Sequence, residues 1–533
     1  MKEREKMTAK KTAAVQEESI LLQRIKVARK SGTPIIAIST MDALNTISTI
    51  HHAFPDVAKQ GGNDKPVAKI QWDVVRGVRP VNDVGSKLIH NFFKDEKFEG
   101  EPSAFLAKVT ESEFPSHSMV FILNAHRFFE STSVLQAILN TREVFKADMK
   151  TLILLAPEIT LPIELAQDVI VLDEPLPDRK ELLDIIVNLH EENNVPVPTG
   201  HNMEKIIDAI QGLSVFTAEQ VIAMSLRKTG VDINEAWERK KKMIENTPGL
   251  SVWRGGETFT DVGGVQNVKD FMKRILEGRS APNAIVFIDE IEKAFAGLGQ
   301  NGGPGDSSGV TQDFLGTLLS YMQDQKATGM IFIGPAGSAK SMVAKAAGSV
   351  SDIPTIAFDI AGMKGSLVGQ SEQNLRQALK TVTAVSNKNA LFIATCNSIQ
   401  VLPPELRRRF KLGTFFFDLP TKEERNTIWD LYLKKYEFDL NSPRPNDTDW
   451  TGAEIAQCCD NAYRLDCDLI KASKFIVPVA RSAENIIKEL RRMADGRFIS
   501  ASYEGFFQST EQPQVENVET AKKKRQMAGF EED

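Results

Sequence analysis

Two short motifs stand in an order that restricts how this chain can fold. Ile285-Val286-Phe287-Ile288-Asp289-Glu290 is an apolar run ending in two acids. It precedes a second apolar run, Met330-Ile331-Phe332-Ile333, which leads into Gly334-Pro335-Ala336-Gly337-Ser338-Ala339-Lys340-Ser341 and a helix-prone stretch. A Gly-rich turn between strand and helix, ending in a lysine and a hydroxyl, suits an anion wrapped in backbone N–H groups. An apolar strand ending in paired carboxylates suits a cation and a water beside that anion. Each motif is useless without the other. The fold must bring them together with the acids arriving first.

The chain has room for that. At 533 residues it exceeds one domain, and two or three is the natural division. A net charge of −6 argues against a protein held to nucleic acid by bulk positive charge. No apolar run approaches the ~20 residues of a membrane span. The charged start, Met1-Lys2-Glu3-Arg4-Glu5-Lys6, lacks the apolar core of a signal peptide. A soluble, cytoplasmic protein is the expectation. Cys396 falls in an apolar strand. Cys458, Cys459 and Cys467 fall on one expected helix without paired CxxC spacing, so they read as reduced and structural rather than zinc-binding. All seven histidines lie at or before His201, which leaves the second half carboxylates, Lys, Arg and amides for chemistry.

Residues 1–30 read as a charged, helix-prone and partly ordered N-terminal arm. Short apolar strands at 34–38, 67–72, 118–123, 151–155 and 169–172 alternate with helical stretches. That alternation predicts an α/β domain over 31–230, with a parallel sheet, helices on both faces and a small helical lid. Residues 231–258, charged and then Gly-rich, read as a linker. A second α/β domain is expected over 259–437, with a loop at 297–309 too glycine-rich for a regular element. A helical lid is expected over 438–510 and a disordered tail over 511–533.

The two halves repeat a plan. Residues 151–190 and 390–433 each read strand, proline and an Ile-Glu-Leu or Pro-Glu-Leu turn, strand, acid–proline segment, apolar helix. Only the second half has a phosphate loop. The first has Ser39-Thr40-Met41-Asp42 after its first strand and Asn124-Ala125-His126 where an acidic pair would stand. It is expected to be catalytically dead. Asp173-Glu174 is a decoy, since prolines follow it and the repeat assigns it to another strand.

In the second half the backbone of 334–341 would cradle a β-phosphate, and Lys340 would bridge β and γ oxygens. Ser341 and Asp289 would hold Mg²⁺, and Glu290 would orient the attacking water. Ala339 stands where glycine normally precedes the lysine; its Cβ either crowds the phosphates or is tolerated in a helical residue. Asn397, after the strand 391–395, would sit between the acids and hold the water; the plainer reading is a turn asparagine. Arg407-Arg408-Arg409 could be a solvated helix end, or arginine fingers reaching a neighbouring subunit's γ-phosphate.

With these elements in register, the chain resembles the AAA family of AAA+ ATPases. Phe259-Thr260-Asp261-Val262-Gly263-Gly264 is similar to the family's leading motif at the adenine pocket. Thr451-Gly452-Ala453-Glu454 is similar to its lid motif, where Gly452 and Ala453 would pack on nucleotide. From about 30 to 505 the chain resembles the Ycf-type AAA proteins of cyanobacteria and plastids. Shared signatures are Asp289-Glu290-Ile291-Glu292-Lys293-Ala294-Phe295, Val368-Gly369-Gln370-Ser371-Glu372, Leu402-Pro403-Pro404-Glu405-Leu406 and Ala494-Asp495-Gly496-Arg497. The resemblance implies two P-loop-NTPase-like αβα domains, the first degenerate, and a homo-oligomeric ring, usually a hexamer. It implies ATP and Mg²⁺ as ligands and leaves the plastid stroma open as a location. Leu367, Val368 and Gly369 fall at the family's central-pore loop, with leucine where threading members usually carry an aromatic.

The departure is that 282–328 stands ahead of the phosphate-loop strand instead of behind 350–389. Three outcomes follow: the strand reoccupies its usual place, completes a neighbour's site, or is an inert remnant. Three functions are weighed in this order: an ATP-driven ring remodelling or threading a protein partner, a nucleic-acid motor, and a nucleotide-gated assembly switch. Nearly balanced charge in 259–437 and the lack of aromatic–basic interleaving count against the second.

Overall fold

The computed structural model describes residues 19–60, 63–253, 256–295, 310–350, 353–363 and 370–509. The expected tail, the loop 297–309 and Leu367, Val368 and Gly369 lie outside the described residues. The chain forms two compact units, Met1–Ala236 and Trp237–Asp533, both mixed α/β with mainly parallel sheets. No helix among the described residues is long and apolar enough to cross a membrane.

The first unit contains β1 (Ile35–Ser39), β2 (Val57–Gln60), β3 (Asn63–Pro66), β4 (Lys69–Asp73), β5 (Gly77–Pro80), β6 (Met119–Leu123), β7 (Thr151–Ala156) and β8 (Val169–Asp173). Six of them form a sheet ordered β5-β4-β6-β7-β1-β8, parallel except at the β4–β5 edge. β6 and β7 are buried at every position, as unbroken apolar strands covered on both faces must be. The arm expected over 1–30 is in part a structural element. Helix Ile20–Lys30 turns Leu21, Leu22, Ile25 and Ala28 onto one sheet face, an i, i+4, i+7 stripe among charged residues. A two-stranded hairpin, β9 (Leu226–Arg227) and β10 (Gly230–Val231), follows the unit's last helices.

The second unit contains β11 (Leu250–Trp253), β12 (Ala284–Ile288), β13 (Thr328–Ile333), β14 (Thr355–Phe358), β15 (Ala390–Cys396), β16 (Thr414–Phe416) and β17 (Ile499–Ser500), in the order β11-β14-β12-β15-β13-β16-β17. Only β11 runs antiparallel. The segment 231–258 is therefore not a linker. It holds helix Ile233–Glu245 and the edge strand β11, and Ile244, Leu250 and Val252 enter the main core. Gly249 makes the turn between them at φ 76, where a Cβ would come within 2.2 Å of Met363.

The lid boundary also moves. Helix Lys422–Lys435, expected to close the nucleotide domain, joins the lid, where Ile428, Trp429 and Leu433 pack with Trp450, Ile455, Cys458 and Leu469. The end of the expected lid returns to the sheet: Leu490, Ala494 and Phe507 join the core around β12 and β15, and β17 pairs with β16. Cys467 lies beyond helix Gly452–Arg464, past a left-handed Asp466. All four cysteines are free.

β12 lies between β14 and β15 of its own chain. Just before the N-terminal ends of β12 and β15, Asn283 N–H donates to Asn389 O (2.9 Å) and its amide to Ser386 O (3.0 Å), while the Asn389 amide donates to Ala281 O (2.7 Å). The tight turns use left-handed Lys326, Asn387 and Lys388. Two asparagines thus satisfy backbone carbonyls where three connections crowd together.

Candidate functional site

The phosphate-loop segment joins β13 to helix Lys340–Val350. Gly337 is left-handed at φ 79, and a Cβ there would meet Ala453 Cβ and Thr451 Oγ1 at 3.0 Å. Ser338 Oγ donates to Pro335 O (2.8 Å), tightening the turn. Ala339 sits outside the helix at φ 68, so the helical reading that would have made its Cβ harmless does not hold. A left-handed backbone costs a non-glycine residue about 1–2 kcal/mol.

Lys340 is 7% exposed, and its ammonium donates to Gly334 O (2.8 Å) and Pro335 O (2.7 Å). No carboxylate among the described residues lies within ion-pair reach. Burial lowers its pKa to about 8. A buried cation held only by the carbonyls of a Gly-rich turn fits an anionic ligand.

The acids arrive from β12. Ser341 Oγ donates to Asp289 Oδ1 at 2.9 Å across 52 residues of chain. A hydroxyl and a carboxylate oxygen meeting there are hard donors that fit Mg²⁺. Glu290 is left-handed at φ 47, and its carboxylate accepts from Asn397 Nδ2 (3.1 Å) and pairs with Lys293. Glu292 Oε1 accepts the Asn397 N–H (2.9 Å). Thr395, 1% exposed, donates from Oγ1 to Asp289 Oδ1 (2.5 Å) and accepts the Glu290 N–H (2.8 Å). Sequence reasoning missed Glu292 and Thr395. Their signal was position: one lies two residues after Glu290, the other one strand step from Asp289.

The flanking motifs converge on the same place. Asp261 caps its own turn through Thr258 N–H (2.7 Å), and these hydrogen bonds hold its carboxyl below the usual carboxylate range. Val262 packs with Val343, Ala344 and Ala347 of the loop helix. Gly263 abuts Ile428 of the lid. Gly452 and Ala453 begin a lid helix capped by Thr451, and Ala453 N–H reaches Gly337 O at 3.4 Å. Arg407, Arg408 and Arg409 stand apart. Arg407 and Arg408 are exposed, Arg409 bonds Gln323 (2.8 Å), and no hydrogen bond or ion pair among the described residues ties them to the loop or the acids.

Two family descriptions match. Residues 21–174 match the SpoVK-like AAA ATPase N-terminal domain, and residues 330–388 match the ATPase family associated with various cellular activities (AAA). The second match begins within β13 and ends before β15, so it excludes β12. An AAA domain-containing protein ycf46 of Guillardia theta is 21% identical over 530 residues, covering 88% of this chain and 94% of that protein. Its counterpart in Pyropia yezoensis is 22% identical, covering 90% of this chain and 99% of that protein. The ATP-dependent zinc metalloprotease FtsH of Karelsulcia muelleri is 28% identical over 235 residues, covering 39% of this chain and 36% of that protein. With AAA descriptions matched in both units and relatives aligned nearly end to end, the chain carries AAA-family domains and is homologous to the ycf46 AAA proteins of plastids.

Proposed function

We propose that the second unit binds ATP with Mg²⁺ and hydrolyses it, in a homo-oligomeric ring that remodels a protein partner. The observation that carries the reading is the 2.9 Å contact between Ser341 and Asp289, because the two come from motifs in inverted order. Gly334 to Ser341 surround the phosphates, and Lys340 exchanges its loop carbonyls for phosphate oxygens. Ser341 and Asp289 would hold Mg²⁺, which would supply positive charge against the phosphates. Glu290 orients a water and takes up its proton, with Asn397 fixing the carboxylate. Asp261, Val262 and Gly263 on one side and Gly452 and Ala453 on the other enclose the nucleoside. Exposure of Arg407 and Arg408 supports arginine fingers that act on a neighbour's nucleotide.

Two features favour a second reading, a nucleotide-gated assembly switch with weak turnover. Ala339 is strained, and Glu290 is engaged by both Lys293 and Asn397. Steady-state hydrolysis across protein concentrations separates the readings, with Glu290→Gln and Lys340→Ala alongside. Turnover that rises with concentration and vanishes in both variants supports hydrolysis in a ring. ATP-dependent assembly without turnover supports the switch, and absence of ATP binding rejects both.

A further inference from the structure

Thr395 holds both acids with one hydroxyl. Its Oγ1 donates to the Asp289 carboxylate and accepts the Glu290 N–H, and it is almost fully buried at the end of β15. A single hydroxyl can fill both roles because it carries one proton and free lone pairs. The Glu290 N–H belongs to a left-handed residue, whose backbone conformation needs local support. The Asp289 oxygen that Thr395 reaches is the one that also accepts from Ser341.

The first unit supplies an internal control. Thr40 N–H donates to Ala156 O there, as Gly334 N–H does to Cys396 O, which makes Ala156 and Cys396 equivalent. One step back, Leu155 stands where Thr395 stands. Its register partner is Leu123, in the place of Asp289, and left-handed Asn124 follows in the place of Glu290. Where the acids are gone, the hydroxyl is gone too. A threonine that only filled a buried strand would have no reason to accompany them.

Resting on the ATP and Mg²⁺ reading above, we propose that Thr395 is a positioning residue that orients Asp289 toward the metal and fixes the backbone of Glu290. Thr395→Val keeps the shape and removes the hydroxyl; Thr395→Ser keeps the hydroxyl. The test measures calorimetric binding of a non-hydrolysable ATP analogue to the full chain, in excess EDTA and across a Mg²⁺ series, with thermal melting as a folding control. Thr395→Val should keep its EDTA affinity and need about 10–100-fold more Mg²⁺ for the metal-dependent gain, the usual cost of losing a residue that orients a metal ligand. Thr395→Ser should restore the wild-type Mg²⁺ dependence.

Unchanged Mg²⁺ dependence in Thr395→Val overturns this role and leaves the nucleotide site standing. Loss of EDTA binding in Thr395→Val together with a lowered melting temperature makes the residue merely structural and also overturns the role. Absence of analogue binding by the wild type overturns the site and this role together.

Discussion

At the end of β15 a threonine joins two acids, while at the end of β7 a leucine faces a leucine. The sheets around these ends share a plan: β4-β6-β7-β1-β8 in the first unit matches β14-β12-β15-β13-β16 in the second. The chain visits them differently. In the first unit the second strand of that run, β6, comes after β1 and β4; in the second its counterpart β12 comes before both β13 and β14. The Gly-rich turn, the lysine and the paired acids are missing where the order is plain and present where it is inverted. Thr40 replaces Gly334 and Glu174 replaces Phe417, each identified by the same backbone bond. The Glu174 carboxylate accepts from Thr40 and Thr46, the first residue after β1 and one in the helix that follows it. Burial raises its pKa. A site therefore depends on what stands at the strand ends, not on the path the chain takes between them.

The sharpest way to break this contrast is to disable both units in parallel. Glu290→Gln should lower hydrolysis on the order of 10²–10⁴-fold, the range for a lost general base, while Asn124→Ala leaves it unchanged. A hydrolysis assay in which Asn124→Ala also abolishes turnover would return catalysis to the first unit. Next, Lys340→Ala should weaken ATP binding by about 10²-fold, from loss of charge-assisted contacts, while Thr46→Ala has no effect on it in calorimetry.

The third prediction concerns pH. A bound polyphosphate would raise the Lys340 pKa above its nucleotide-free value of about 8. ATP affinity should therefore be full below about pH 8 and decline as pH rises through it. Flat affinity between pH 7 and 9.5, under conditions where the nucleotide's own charge is constant, would contradict a lysine–phosphate contact. The smallest effect is expected at Ala339. Replacing this left-handed alanine by glycine should stabilise the nucleotide-free chain by up to about 1 kcal/mol, read as a small rise in thermal midpoint.

Strands β1, β6, β7, β12, β13 and β15 were legible because parallel strands buried on both faces are unbroken apolar runs. What stayed hidden was structure whose signal is mixed. β11 alternates Leu250 and Val252 inward with Ser251 outward, but it sits beside a lysine-rich helix and two glycines, so its pattern read as a linker. The helix Ile20–Lys30 falls in a stretch that reads as helix-prone, but its charges masked the apolar stripe that packs on the sheet. The return of β17 could not be read from two residues. In the site, the Gly-rich turn, Lys340 and the acids declare themselves by type and spacing. Thr395 does not, since a threonine in an apolar strand looks like β-branched filler until the opposing strand puts Asp289 beside it.

The two edges of the second sheet have a consequence for how the chain is made. β11 closes one edge and β17 the other, and they stand near the beginning and the end of that unit's sequence. β12 leaves the ribosome before either of its neighbours, β14 and β15, has been synthesised. Its Ile285-Val286-Phe287-Ile288 run must wait unpaired while they emerge, a period in which such segments attract chaperones or stray partners. The first unit can finish folding during that interval. The second sheet is complete only once β17 has emerged.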